Sequence, residues 1–230
     1  MRLAVIPARG SSKRIPRKNI KPFCGMPMIA LPITVAKESG CFDRVVVSTD
    51  DEEIARVART YGAEAPFMRP AELSDDQVGT IPVVAHAVRW AQAQTADIQF
   101  VCCIYATAPF VRAEDLWRGL TLIEQNNADY AFSVTSFPSP IQHALRLLSN
   151  GGVEMFHPEQ LHTRSQDLEE AYHDAAQFYW GRAAAWLEEM PIFSAAATPV
   201  VLPRYRVQDI DTPEDWKRAE WLFRAMRETS

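Results

Sequence analysis

No aspartate or glutamate occurs among the first 37 residues, although the 230-residue chain carries 29 acidic side chains and a net charge of −5. Eight of the 24 Lys/Arg fall in that acid-free segment, so the remainder holds 16 basic against 29 acidic groups, a local balance of −13. Positive charge gathered at one place in an acidic protein argues against a nucleic-acid partner and for a small phosphorylated ligand. Long apolar runs are also missing; the short ones are cut by proline or charge, so no membrane span is expected. The four cysteines, Cys24, Cys41, Cys102 and Cys103, form no Cys-x-x-Cys pair and lack zinc-ligand spacing. They read as small buried hydrophobes in a reduced, cytoplasmic protein. No secretory h-region or cleavage site is seen, and Pro7, Pro16 and Pro22 would break the amphipathic helix of a transit peptide. No Gly-x-x-x-x-Gly-Lys phosphate loop occurs, and Gly10 and Gly25 stand too far apart for a dinucleotide fingerprint.

Against these absences stands one dense feature. Six of the eight early charges lie between Arg9 and Lys21, directly after the apolar run Leu3–Pro7. A buried strand that empties into a Gly/Ser/Lys/Arg loop can hold phosphate groups. Gly10 is free to adopt positive φ, and Ser11 and Ser12 offer hydroxyls beside backbone N–H groups. Arg9 can grip oxygens bidentately, while Lys13 and Lys18 act as mobile point charges.

The remaining pattern alternates strands and helices. Strands are expected at 3–7, 44–48, 100–105, 130–134, 176–180 and 197–202. Helices are expected at 27–37 (with Pro32 marking a kink or a late start), from the Thr49-Asp50-Asp51 cap to Tyr61, at 80–93, at 114–125, and after Asp211. His86 falls on one of these helices and reads as packing. This alternation implies an α/β fold, one domain over 1–230, with a mostly parallel sheet covered by helices on both faces. Ligands of such sheets collect at the carboxyl ends of strands, where the loops after Pro7 and Tyr105 lie. Residues 137–175 break the pattern. They are rich in proline, histidine and polar groups around an Asn150-Gly-Gly152 turn, and suggest an inserted arm with a hairpin.

Near the other end stands Gln208-Asp-Ile-Asp-Thr-Pro-Glu-Asp215. On extended backbone Asp209 and Asp211 share a face. Thr212 can cap the last helix with Pro213 at its first position and Asp215 at its third, which frees Asp209 and Asp211 to bind Mg²⁺ beside a phosphate loop.

These segments resemble a known family. Ala8-Arg-Gly-Ser-Ser-Lys-Arg-Ile-Pro-Arg-Lys-Asn-Ile20 is similar to the N-terminal signature of the CMP-sialic-acid synthetase family of cytidylyltransferases, and Cys41–Asp50, Arg69–Asp76 and Asp209–Thr212 agree with it in order. The resemblance implies a Rossmann-like nucleotidyltransferase fold and transfer of CMP from CTP to the anomeric hydroxyl of a 2-keto-3-deoxy sugar acid. By position it assigns Arg9, Ser12, Lys13, Lys18 and Asn19 to CTP and its phosphates, Arg69 and Thr80 to cytosine and ribose, and Asp209 and Asp211 to Mg²⁺. Arg9, Lys18 and Asp211 are the catalytic candidates. Cys102–Phe110 and Glu170–Gly181 narrow the resemblance to the pseudaminic acid branch, with Tyr105, Tyr172, His173, Asp174, Gln177 and Tyr179 as candidates for the sugar pocket. Tyr179 reads equally as sheet core and His173 as a structural histidine. Two positions depart from the branch, which has glycine where Ser11 and Ala176 stand. A homodimer formed through the 137–175 arm is also implied. Sialic, legionaminic or 3-deoxy-manno-octulosonic acid as the sugar, an enzyme acting on sugar 1-phosphates, or a non-catalytic nucleotide-binding module remain alternatives.

Overall fold

The structure, a computed structural model, describes residues 1–75, 77–94 and 97–228. In chain order the elements are β1 (Arg2–Pro7), β2 (Pro22–Phe23), β3 (Met26–Pro27), α1 (Ala30–Glu38), β4 (Arg44–Ser48) and α2 (Glu52–Thr60). There follow α3 (Thr80–Gln92), β5 (Phe100–Ile104), α4 (Ala113–Gln125), β6 (Tyr130–Ser136), β7 (Leu145–Leu147) and β8 (Val153–Met155). The chain then runs through β9 (Tyr172–Arg182), α5 (Ala183–Leu187), β10 (Ala197–Val201) and α6 (Pro213–Glu228). Six strands form one sheet in the order β10-β6-β9-β5-β1-β4. Within it β4, β1 and β5 run parallel, as do β6 and β10, while β9 is antiparallel to both of its neighbours.

The period-2 alternation of the strands explains the two-sided core. In β1, Ala4 and Ile6 join Ile33 of α1, Ile54 of α2 and Leu116 of α4 on one face. Leu3 and Val5 join Val84 and Val88 of α3 and Trp186 of α5 on the other. Cys102 and Cys103 divide between the faces in the same way. Burial pushes their thiols and that of Cys41 up, so all three stay protonated packing groups. His86 packs edge-on against Phe67, and burial lowers its pKa. Among the described residues no helix is long and apolar enough to cross a membrane.

Several expectations shift. Helix α1 starts at Ala30, so Pro32 sits in its first turn, where proline is tolerated. Helix α2 is capped by Asp51, which accepts from the backbone of Glu53 (2.9 Å) and Ile54 (3.0 Å). Strand β9 is eleven residues long and takes in 172–175, which the sequence had assigned to the arm. The extension is possible because β9 bulges. Phe132 pairs with Tyr179 and Val134 with Asp174, leaving Ser133 alone opposite four residues. The Ser133 hydroxyl fills the gap, accepting from the backbone of Gln177 (3.3 Å) and Phe178 (3.2 Å). Ala176 takes φ 52 at the bend, a left-handed conformation that explains the glycine of the resembling branch. The Asn150 turn does close a hairpin, β7–β8.

Candidate functional site

A third apolar cluster lies away from both sheet faces and positions the site. Ile15, from the middle of the basic loop, is buried with Phe23 and Met28, with Ile210 from the acidic segment, and with Trp216 and Ala219 of α6. Phe23 meets Trp216 edge-on at 5.4 Å. Burying an isoleucine side chain contributes roughly 1.5–3 kcal/mol, so two such anchors hold the basic loop against the acidic segment. The cluster joins segments almost 200 residues apart in sequence. Lys18 Nζ donates to the Ile210 carbonyl at 2.6 Å and lies 3.5 Å from Asp211 Oδ1, while Arg14 Nη2 bonds that oxygen at 2.7 Å. Thr212 and Asp215 form the expected reciprocal cap, with Thr212 N donating to Asp215 Oδ2 (2.8 Å) and Asp215 N to Thr212 Oγ1 (3.2 Å). Asp215 also accepts from Asp211 N at 3.2 Å, so the helix cap fixes the acidic segment itself.

The basic loop is shaped from within. Asn19 Nδ2 donates to the Arg9 carbonyl (2.9 Å), and Arg17 turns the chain at φ 57 while its guanidinium forks between Asp51 and Glu53. The Arg17 bond holds the Asp51 carboxyl below its usual range. Gly10 does not adopt positive φ. It is glycine because an added Cβ would meet Asp51 Oδ2 at 2.8 Å and Asp51 Cβ at 2.9 Å. Gly10 N donates to Asp50 Oδ1 at 2.8 Å, and the same oxygen lies 3.6 Å from Arg69 Nη2. Arg69 is buried at the end of β4, where Arg69 N bonds the Thr49 carbonyl (2.7 Å) and Nε reaches Ser74 Oγ (3.2 Å). Burial pulls its guanidinium below the usual arginine value, Asp50 opposes this, and Arg9 adds to it. The large margin of arginine keeps the charge.

Together these elements wall a cavity of about 600 Å³ at the carboxyl ends of β1 and β5. Its lining includes Arg9, Ser12, Lys13, Lys18, Asn19, Arg69, Thr80, Tyr105 and Asp211. Every position assigned to the nucleotide is therefore on one wall or another. Five basic side chains face the space against the carboxylates of Asp75 and Asp211 alone, the balance a triphosphate needs. Leu73, Val78 and Val83 give a less polar stretch around Thr80, suited to a heterocycle.

The sugar candidates divide. Tyr105 lines the cavity, its hydroxyl 2.9 Å from Thr80 Oγ1, and burial pushes its pKa up to about 12. Tyr179 and Gln177 are buried behind that wall. Tyr179 donates to Asp174 Oδ2 at 2.5 Å, and Gln177 Nε2 to the Arg206 carbonyl at 2.7 Å. His173 Nδ1 contacts the Asp174 carbonyl (2.8 Å) and its ring lies on Phe137. Tyr172 is exposed and bonds Glu170. None of these five lines the cavity of the single chain. Asp209 also lies off the lining and is exposed, separated from Asp211 by buried Ile210. Desolvation raises the Asp209 carboxyl above the ordinary range, the Asp211 carboxylate adds to this, and Lys18 opposes. Among the described residues no group of three or more His, Cys, Asp or Glu gathers as a metal cluster.

Sequence reasoning missed Asp50 and Arg14. Asp50 was folded into the helix cap, and Arg14 was counted only as charge. The pairing of Arg14 with Asp211 has no signal in either segment alone.

The model of the Cytidylyltransferase family matches residues 3–225. The chain belongs to that family. Within it, the chain is 47% identical over 228 residues to the pseudaminic acid cytidylyltransferase of Campylobacter jejuni subsp. jejuni serotype O:2, covering 99% of this chain and 98% of that one. It is 30% identical to the CMP-N,N'-diacetyllegionaminic acid synthase of Legionella pneumophila, covering 98% and 97%. The fold matches a solved structure of CMP:2-keto-3-deoxy-manno-octonic acid synthetase complexed with CTP at a TM-score of 0.69, with 15% identity and coverage of 98% and 99%. The nucleotidyltransferase architecture expected from the sequence, a mixed and mostly parallel sheet between helices, is thus the one this family member adopts.

Proposed function

We propose that this family member transfers CMP from CTP to the anomeric hydroxyl of pseudaminic acid and releases pyrophosphate. The observation that carries the reading is the contact of Lys18 and Arg14 with Asp211 across one cationic cavity, in a chain 47% identical to an enzyme of that name.

In-line attack at the α-phosphorus asks little covalent chemistry of the protein, so placement and charge neutralisation dominate. Arg9, Lys13 and Lys18 hold the phosphates, with Ser12 and Asn19 shaping the cradle. Arg69 and Thr80 take the nucleoside. Tyr105 faces the acceptor sugar, backed by Asp174, Gln177 and Tyr179, while Tyr172 and His173 lie toward the arm. Asp211 on the cavity wall and Asp209 two residues before it would hold a magnesium ion: desolvation and the Asp211 carboxylate push Asp209 toward protonation, and a cation relieves both. Bound there, the ion would supply Lewis-acid neutralisation of phosphate charge. Free thiols are in keeping with a cytoplasmic setting for the reaction.

The test is pyrophosphate release from CTP and Mg²⁺ with a panel of sugar acids. Pseudaminic acid is expected to give the highest kcat/KM. Preference for legionaminic, sialic or 3-deoxy-manno-octulosonic acid corrects the sugar, and no release with any of them rejects the activity.

We also assign the 137–171 arm to a homodimer. It carries Leu147 at 84% and Leu161 at 60% exposure, with Val153 and Phe156 exposed nearby on the β8 side. Such apolar surface on a short hairpin calls for a partner. Sedimentation is expected to give a dimer, and Leu147→Glu to shift it toward monomer with loss of activity. A fully active monomer overturns the assignment.

A further inference from the structure

One oxygen of Asp211 serves two cations. Arg14 Nη2 donates to Oδ1 at 2.7 Å, and Lys18 Nζ lies 3.5 Å from the same atom. The two cations are not held alike. The Lys18 side chain is 19% exposed and donates to the Ile210 carbonyl at 2.6 Å, a bond that does not depend on Asp211. The Arg14 side chain is 64% exposed, and its anchor is the backbone beside buried Ile15. An ion pair so exposed is held weakly and exchanges partners readily. Asp211 is less free to follow, because Asp211 N donates to Asp215 Oδ2 at 3.2 Å and so belongs to the cap of α6. Arg14 and Asp211 line the cavity together with Arg9, Ser12 and Lys13. Arg14 is thus a movable cation between a fixed carboxylate and the phosphate cradle.

A triphosphate offers a guanidinium more negative charge than one carboxylate does, in a geometry that suits its planar fork. While Arg14 stays on Asp211, that carboxylate has two positive neighbours, and both repel a divalent ion that comes alone. We propose, on the reading of this cavity as the site of a triphosphate and its magnesium ion, that Arg14 holds Asp211 until the nucleotide enters and then passes to the phosphates, so that Asp211 is released to the metal only when the nucleotide is there. Lys18 stays on the Ile210 carbonyl throughout and keeps the two segments joined. The division of labour follows from burial: the tethered ammonium fixes the site, and the exposed guanidinium changes partner.

Two binding measurements that need no turnover test this. Mn²⁺ is titrated into the nucleotide-free protein and followed by its electron paramagnetic resonance signal. Arg14→Ala is expected to bind it about three- to tenfold more tightly than the wild type. Adding Asp211→Asn is expected to abolish that gain. CTP is titrated calorimetrically in EDTA, where Arg14→Ala is expected to bind about tenfold more weakly and Arg14→Lys to fall between it and the wild type. Opposite signs for metal and nucleotide are the signature, since a general loosening of the loop weakens both. An unchanged Mn²⁺ affinity in Arg14→Ala, a gain that survives Asp211→Asn, or a CTP affinity in EDTA equal to that of the wild type would each overturn the proposal. A wild type that binds no CTP rejects the functional reading and this inference with it, whereas CTP binding that Arg14→Ala leaves unmoved rejects this inference alone.

Discussion

Lys18→Ala is expected to lower kcat about 10²–10³-fold while the fold survives, the scale of losing one charge-stabilising contact in a transition state. The structure gives Lys18 two partners, the Ile210 carbonyl at 2.6 Å and Asp211 Oδ1 at 3.5 Å. Its ammonium therefore supplies positive charge to the cavity and also ties the basic loop to the acidic segment. Lys18→Met separates the ammonium from the packing of its stem, because it keeps the stem and loses both the charge and the tether. The two variants are expected to lose turnover alike, with KM for CTP rising less than kcat falls. Asp211→Ala is the companion: its Mg²⁺ titration is expected to weaken strongly, and an unchanged titration removes Asp211 from the metal site. Turnover near that of the wild type from folded Lys18→Ala removes Lys18 from the chemistry.

Asp115→Ala is expected to destabilise the protein by about 3–5 kcal/mol. Asp115, buried in the first turn of α4, accepts from Arg206 Nη1 at 2.6 Å and Nη2 at 3.4 Å, and both side chains are almost fully buried. Burial works hardest against the Arg206 charge, but the Asp115 bond and the attraction of Asp115, Tyr205 and Glu114 together outweigh it, and the guanidinium pKa ends above its usual value. Removing Asp115 strands that charge in the interior. Arg206→Met is expected to cost less, because Asp115 keeps Arg118 at 3.2 Å, a partner that reaches solvent. Urea denaturation of the two variants measures the asymmetry, and an Asp115→Ala loss below about 1 kcal/mol would contradict the burial argument. The pair matters for function because the Arg206 carbonyl receives Gln177 and the chain then runs directly to Asp209 and Asp211. Loosening it is expected to weaken activity even in the folded fraction.

The legibility of the fold followed the periodicity of its core. Buried runs such as Leu3–Pro7 and Arg44–Ser48 and the helical spacing of Val83, Val84, Ala87, Val88 and Ala91 gave the elements of the sheet and its covers. Strand β9 was read short because the bulge at 175–178 interrupts its alternation, and the side chain that closes the bulge, Ser133, comes from another strand. The antiparallel direction of β9 has no local signal either; it follows from which neighbours complete its hydrogen bonds. Within the site, Gly10 was marked by its type but for another reason than the structure gives. Its conformation is ordinary, and a long-range approach by Asp51 excludes a side chain.

The sequence alone determined the chemistry available here: an acid-free cationic loop after a buried strand, two carboxylates spaced for one face, a cap that leaves them free, and a resemblance to one family along nearly the whole chain. Tertiary structure decided that these parts meet. Ile15 and Ile210 leave water in the same apolar cluster, which sets Lys18 and Arg14 against Asp211 at opposite ends of the chain. It also decided which tyrosine faces the cavity and which stands behind it, because the β9 bulge turns Asp174 toward Tyr179. Local preference specifies each segment through its own backbone and burial pattern, but contacts between distant segments depend on shared apolar surface and on acceptors that only the assembled sheet brings into reach.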